Sequence, residues 1–320
     1  MLYTKNMLRL TLKKGGNMKK LIITLTTILS VFLLSSCVSR YSYIEGKINI
    51  LTSTTMLGDL AKQIGKDQVV VTTLMQTGTD PHSYKPKPSD RYAAKKADLI
   101  IYNGLHLEAK MNKLFEETNP DKLFIAGEKI NSNHILKDEN NEIDPHIWFD
   151  VNIWKELSYQ LKLELQTIDP LHSENYENNY LSYKEELITL ENYIKEKVNQ
   201  LPEEKRILIT AHDAFNYFGH AYGFKVYAIQ GISTETEAST KDIQNLAKLV
   251  KDLNVKAIFI ENSIPEATIK GVIDAALALG QKVTIGGELY SDSLGDINSL
   301  ANTYIQMFYH NINTIIDSLT

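Results

Sequence analysis

Apolar residues along this 320-residue chain recur with two periods in turn. Alternating or β-branched runs at 47–52, 69–75, 99–104 and 122–126 predict strands. Stretches repeating every three to four positions at 55–64, 89–96, 108–118 and 151–167 predict the helices between them, with Ser89 placed to cap one of them. The run Val69-Val70-Val71-Thr72-Thr73 lacks polar alternation, as expected of a strand covered on both faces in a parallel sheet. Residues 132–142 are polar and charged and predict a loop. Asp169-Pro170 then opens the longest helical pattern, in which Tyr176, Tyr180, Tyr183, Leu187, Leu190, Ile194 and Val198 form one apolar stripe, and Pro202 closes it. Beyond Pro202 the alternation restarts, with strands predicted at 206–210, 225–228, 257–261 and 282–286 and helices at 240–253, 267–279 and 297–319. Strands and helices alternating at these lengths predict an α/β fold. It is built as two βα lobes, 47–168 and 202–320, joined by one linking helix, 169–201. Some thirty helical residues span about 45 Å, more than the width of one small lobe.

The first 46 residues follow a different pattern. Met18-Lys19-Lys20 is a short basic region, and 21–34 is an apolar run too short for a comfortable membrane span. The run ends in Leu34-Ser35-Ser36-Cys37, a secretory signal peptide whose small residues before a cysteine resemble a bacterial lipobox. That resemblance implies a leader of residues 1–36, cleavage before Cys37, a lipid on its sulfur, and a polar tether over 37–46. Residues 1–17 do not fit a signal peptide, and Met18 is the expected start. Cys37 is the only cysteine, so the chain has neither a disulfide nor a cysteine-based metal site. Residues 1–36 carry six basic and no acidic residues, so their loss takes the formal net charge from −5 to −11. An acidic net charge argues against nucleic acid or anionic lipid as a partner and mildly favours cations.

Chemistry concentrates where strands end. The triplet Asp-Pro-His occurs twice, at Asp80-Pro81-His82 and Asp144-Pro145-His146, in a chain with eight histidines. Proline stiffens the backbone just before each imidazole, which gives a ligand side chain a defined direction. His82 follows one strand, His212 ends another, and Asp292 lies beyond the last. In open α/β sheets, ligands bind at the carboxyl ends of strands. Three imidazoles and one carboxylate saturate a tetrahedral Zn²⁺, or a Mn²⁺ if the carboxylate is bidentate. Glu261, ending a strand, is suited either to orienting a ligand or to a cap or ion pair. Asp150 is suited to orienting an imidazole. His106 reads as packed near a helix start, and His134, His172, His220 and His310 carry no partner pattern.

Five segments together resemble the cluster A-I metal-binding lipoproteins, the zinc/manganese solute-binding proteins of ABC importers. They are Asp80-Pro81-His82-Ser83-Tyr84, Asp144-Pro145-His146-Ile147-Trp148, Thr210-Ala211-His212-Asp213-Ala214-Phe215, Gly231-Ile232-Ser233-Thr234-Glu235 and Gly287-Glu288-Leu289-Tyr290-Ser291-Asp292. The resemblance runs from about residue 46 to 320 and is strongest to binders of the treponemal type, with three histidines and one aspartate. It implies a rigid linking helix, a metal site in the cleft between the lobes, and the ligand role for His82, His146, His212 and Asp292. It also implies one Zn²⁺ or Mn²⁺ per chain as cargo, an ABC permease and its ATPase as partners, and a monomer. That monomer would be held by its lipid at the outer face of the cell membrane, or in the periplasm of a double-membraned host. Manganese-favouring members commonly have glutamate where this chain has His212. Dedicated zinc members often carry a histidine-rich loop near 132–142, and this chain has only His134 there. Two rivals are a zinc-dependent hydrolase and a surface adhesin stapled by metal. The hydrolase lacks a His-Glu-x-x-His helix, and four protein ligands leave no open position for an activated water.

Overall fold

The computed structural model describes residues 41, 43–138 and 140–320, so the leader, Met18 and Cys37 lie outside the described residues. Residues 43–320 form one compact unit. Its first half is a parallel sheet of order β2-β1-β3-β4, made of β1 (Ile48–Thr52), β2 (Val69–Thr73), β3 (Leu99–Tyr102) and β4 (Leu123–Ile125). Helices α1 (Thr55–Gly65), α2 (Pro88–Lys96) and the short α3 (Asn112–Glu116) connect these strands. Helix α4 (Val151–Ile168) then leads through a turn at Pro170–His172 into α5 (Ser173–Val198). The second half holds β5 (Ile207–His212) paired in parallel with β6 (Lys225–Gln230), and β7 (Ala257–Glu261) paired in parallel with β8 (Thr284–Leu289). β5 and β7 run side by side. Helices α6 (Asn216–Tyr222), α7 (Thr240–Asp252), α8 (Ala267–Ala278) and α9 (Tyr304–Leu319) complete it.

Helix α5 is 26 residues long, about 39 Å at 1.5 Å per residue. All seven positions of its apolar stripe are buried, and they join one core that takes in α1 and α4 on one side and α9 on the other. The two halves are thus packed on a common helix face. Aromatic contacts tighten this seam. Trp154 stacks on Tyr304 with centroids 4.5 Å apart, the Tyr304 hydroxyl donates to the Trp148 carbonyl at 2.7 Å, and Tyr304 N donates to Asp59 Oδ2 at 2.9 Å. A second, smaller core of Ile209, Ile258, Ala247, Val250, Ile269 and neighbours fills the space under α7 and α8.

Local structure departs from the sequence expectation where side chains compete for the backbone. Helix α2 starts at Pro88, and Asp90 rather than Ser89 closes its first turn by accepting from Lys87 N at 2.7 Å. Proline at the first helical position is preorganised for that start. The helix expected over 108–118 is a turn at Ala109–Met111 followed by the five residues of α3. Glu108 is committed instead to the preceding loop, where its carboxylate accepts from Asn103 N, Gly104 N and Ser53 Oγ. The last helix begins at Tyr304, capped by Thr303, so 297–303 is loop. The strand expected at 282–286 runs instead from Thr284 to Leu289, past a bulge at which Gly287 has φ 146°. Helix α6 has no signal in the pattern of apolar positions, because seven aromatic-rich residues carry too little periodicity.

Leu187 has no solvent exposure in the shared core, whereas Leu181 on the same helix is 47% exposed. Leu187→Ala is expected to lower unfolding stability by about 2–5 kcal/mol, and Leu181→Ala by no more than about 0.5 kcal/mol. Urea unfolding of both variants checks this, and equal effects would contradict α5 as the spine of the fold.

Candidate metal centre

The two Asp-Pro-His triplets fold alike. In each, the aspartate carboxylate accepts the backbone N–H of the histidine two residues on, Asp80 Oδ1 from His82 N at 2.9 Å and Asp144 Oδ1 from His146 N at 2.9 Å. This is the local side-chain turn that aspartate favours, with proline fixing the residue between. His82 is thereby held in the loop between β2 and α2, and His146 just before the turn Ile147–Phe149 that leads into α4. His212 is the last residue of β5, and Asp292 follows β8 by three residues.

These four residues meet. One ligand atom from each of His82, His146, His212 and Asp292 lies within 4.8 Å of all the others. Asp292 Oδ2 is 3.3 Å from His212 Nε2 and 4.0 Å from His82 Nε2, and Asp292 Oδ1 is 3.6 Å from His146 Nε2. All four are buried, His82 most exposed at 3%. The three Nε2 atoms and both Asp292 oxygens have no hydrogen-bond partner. An unsatisfied buried polar atom costs about 1–3 kcal/mol. Five such atoms converging on one point form a donor set for a single small cation. Three nitrogens and an oxygen are the ligand types of Zn²⁺, with Mn²⁺ next in fit as oxygen content grows.

Carboxylates behind the imidazoles fix which nitrogen faces the centre. Asp144 Oδ1 is 2.7 Å from His146 Nδ1, and Glu261 Oε2 is 2.6 Å from His212 Nδ1. Glu261 Oε1 also accepts from Ala211 N and His212 N, each at 2.8 Å. With Nδ1 facing a carboxylate, the Nε2 lone pair is directed to the ion. The sequence left the role of Glu261 open between orienting a ligand and capping. The role suggested there for Asp150 falls to Asp144 instead. Asp150 lies beyond the Ile147–Phe149 turn, where its Oδ1 accepts from Asn152 N at 2.8 Å and caps α4. The clue to Asp144 was its own triplet, which already set an aspartate two residues before the imidazole.

The remaining histidines lie elsewhere. His172 pairs with Asp169 at 2.6 Å, His134 faces Glu156 at 3.2 Å, and His310 Nε2 meets the Glu288 carbonyl at 2.9 Å. His220 is exposed, and so is His106, which is not packed at a helix start. The Gly231–Glu235 segment reaches across the cleft, where Thr234 Oγ1 donates to Asp80 Oδ2 at 2.7 Å and Glu235 pairs with Lys110 at 3.5 Å.

Two lobes of parallel sheet that bring four buried side-chain ligands together around one point define a binding protein for a metal ion. The chain belongs to the family described as zinc-uptake complex component A, periplasmic, whose profile matches residues 50–318. It is 41% identical over 285 residues to the zinc-binding protein TroA of Treponema pallidum, covering 88% of this chain and 92% of that one. To the manganese-binding lipoprotein MntA of Bacillus subtilis it is 38% identical over 277 residues, covering 86% and 90%. The solved structure of periplasmic zinc-binding protein TroA from Treponema pallidum superposes with a TM-score of 0.84 at 40% identity, covering 86% of this chain and all of that one. The chain is a metal-binding component of an importer and not an enzyme, which sets aside the zinc hydrolase. Nothing in these similarities supports the metal-stapled adhesin.

Protons occupy the centre unevenly. Burial holds His82 down at about 4, despite the opposing pull of Asp292. Burial also acts to lower His212, but the Glu261 and Asp292 carboxylates outweigh it and hold that imidazole well above its ordinary value. Burial would raise Asp292, but His212 above all keeps its carboxyl well below the usual range. These carboxylates thus favour a proton on His212 that an incoming ion must displace. Because the raised group is protonated below its own pKa, affinity should climb about tenfold per pH unit through neutrality. About one proton should be released per ion bound at pH 7. Calorimetry of Zn²⁺ binding in buffers of differing ionisation enthalpy measures this directly, and binding with no proton release would contradict it. Glu261→Gln should reduce the release and weaken binding by about 10–100-fold.

Proposed function

We propose that this chain captures a divalent transition metal outside the cytoplasm, Zn²⁺ more tightly than Mn²⁺, and delivers it to the permease of an ABC importer driven by its ATPase. The ion is held by His82, His146 and His212 through Nε2 and by the Asp292 carboxylate. The observation that carries this reading is the convergence of five buried, partnerless donor atoms from four separate segments of the chain. Similarity to a zinc-binding relative and to a manganese-binding one supports the choice of these two metals. The nitrogen-rich donor set favours zinc. Glu261 and Asp144 orient imidazoles and do not bind the ion.

The proposal extends to the rest of the chain. Residues 47–168 and 202–320 act as the two lobes, 169–201 as the linking helix, and 37–46 as a tether from a lipid on Cys37. The chain works as a monomer at the outer face of the membrane, or in the periplasm of a double-membraned host. Among the described residues no helix is long and apolar enough to cross a membrane. The lipoprotein names of relatives such as MntA of Bacillus subtilis support the anchor.

His212 separates the metal preferences. His212→Glu exchanges a nitrogen for an oxygen donor and is expected to narrow the zinc-over-manganese preference by about tenfold, or 1.4 kcal/mol. His212→Ala should weaken both metals. Competitive titration of purified variants with Zn²⁺ and Mn²⁺ reads both outcomes, and unchanged affinities in His212→Ala would remove His212 from the ligand set.

A further inference from the structure

A cavity of about 380 Å³ opens beside the four-residue centre, and of the four only His82 lines it. His82 is 3% exposed, and its Nε2 has no hydrogen-bond partner. The outer wall is different in character. His106, Asn141, Glu142 and Ser233 line the same cavity and are exposed. An imidazole and a carboxylate, both metal-ligand types, thus line the solvent side of the cavity that reaches His82, the outermost of the four ligands.

The backbone here is costly. Gly104, Leu105 and His106 take φ of 73°, 53° and 69° in succession. Two consecutive non-glycine residues in this region are strained, and such strain persists only where surrounding structure enforces it. The enforcement is visible. Glu108 accepts from Asn103 N and Gly104 N, and Leu105 lies so close to Gly127 that a Cβ there would meet its Cγ at 2.4 Å. Asn141, with φ 67°, borders the same cavity, so three of the five positive-φ non-glycine residues among those described surround it. The one lysine nearby on this loop, Lys110, is turned to Glu235 at 3.5 Å.

We infer that His106, with Glu142, is a waypoint for the incoming ion: it binds a partly hydrated divalent metal at the cavity mouth and passes it to His82. The strained turn serves to hold the imidazole out at the rim. This rests on the four-residue reading of the centre but adds a role that the final bound state does not contain. A group touching the ion only in passage lowers the barrier and leaves both end states unchanged. It must therefore alter association and dissociation rates by the same factor.

The test uses Zn²⁺ alone and stopped-flow fluorescence of the intact protein, with Trp148, 5.2 Å from the His146 ring, as reporter. Asn and Asp both tolerate a positive φ and are nearly equal in shape, but only Asp offers an anionic ligand. His106→Asn should slow association and chelator-driven dissociation alike, by roughly threefold or more, with the equilibrium constant unchanged within about twofold. His106→Asp should keep both rates near those of the parent. Glu142→Gln should slow association and reduce its salt dependence. Unchanged rates in His106→Asn, or equal behaviour of the Asn and Asp variants, would overturn the waypoint. So would a changed equilibrium constant with unchanged association. Loss of tight binding in the parent protein would instead overturn the four-residue centre, so the two failures are distinct.

Discussion

Everything in this molecule is arranged around the burial of three imidazole nitrogens and a carboxylate that have nothing to bond but one another and an ion. Unpaired, each such atom costs about 1–3 kcal/mol, so the rest of the chain must hold them together against that penalty. Without an ion, the Glu261 carboxylate at Nδ1 and the Asp292 carboxylate at Nε2 both favour the protonated form of His212. That proton is the competitor of the cargo. The same carboxylates that hold it also strengthen the imidazole as a ligand once it has left.

One device recurs in the loops. Asp80 and Asp144 each accept the backbone N–H of a ligand histidine two residues on, and Glu261 accepts that of His212 from the neighbouring strand. Each histidine is thus positioned through its backbone by a carboxylate, and for His146 and His212 the same carboxylate also reaches the ring. Asp80 adds a further link, because its other oxygen accepts from Thr234 of the opposite lobe. The ligand loop and a hydrogen bond across the cleft therefore share one side chain.

Rigidity comes from the seam of the lobes. The stripe on α5, the Trp154–Tyr304 stack and the Trp148–Ser291 hydrogen bond of 2.9 Å tie the ligand-bearing segments to one core. Ser291 immediately precedes Asp292, and Trp148 follows His146 by two residues. Ligand spacing is therefore fixed by packed aromatic rings, which resist sub-ångström displacement better than loops do.

The sequence alone determined the α/β alternation and the tyrosine-rich spine, and it marked His82 and His146 by a repeated triplet, while the resemblance to a family added His212 and Asp292, the four residues that the fold brings together. These signals are local: β-branched runs, a 3.6-residue stripe, a repeated Asp-Pro-His. Tertiary structure decided what depends on neighbours far along the chain. It assigned Asp144 to His146 and moved Asp150 to a helix cap, since the intervening turn redirects the chain. It spent Glu108 on a loop and so shortened an expected helix to α3. It also brought His106, which the sequence read as a packed residue, to the rim of the cavity that ends at His82. No spacing rule reports that a strained turn at 104–106 and a loop at 141–142 will face the same space, because that proximity exists only once the chain between them has folded.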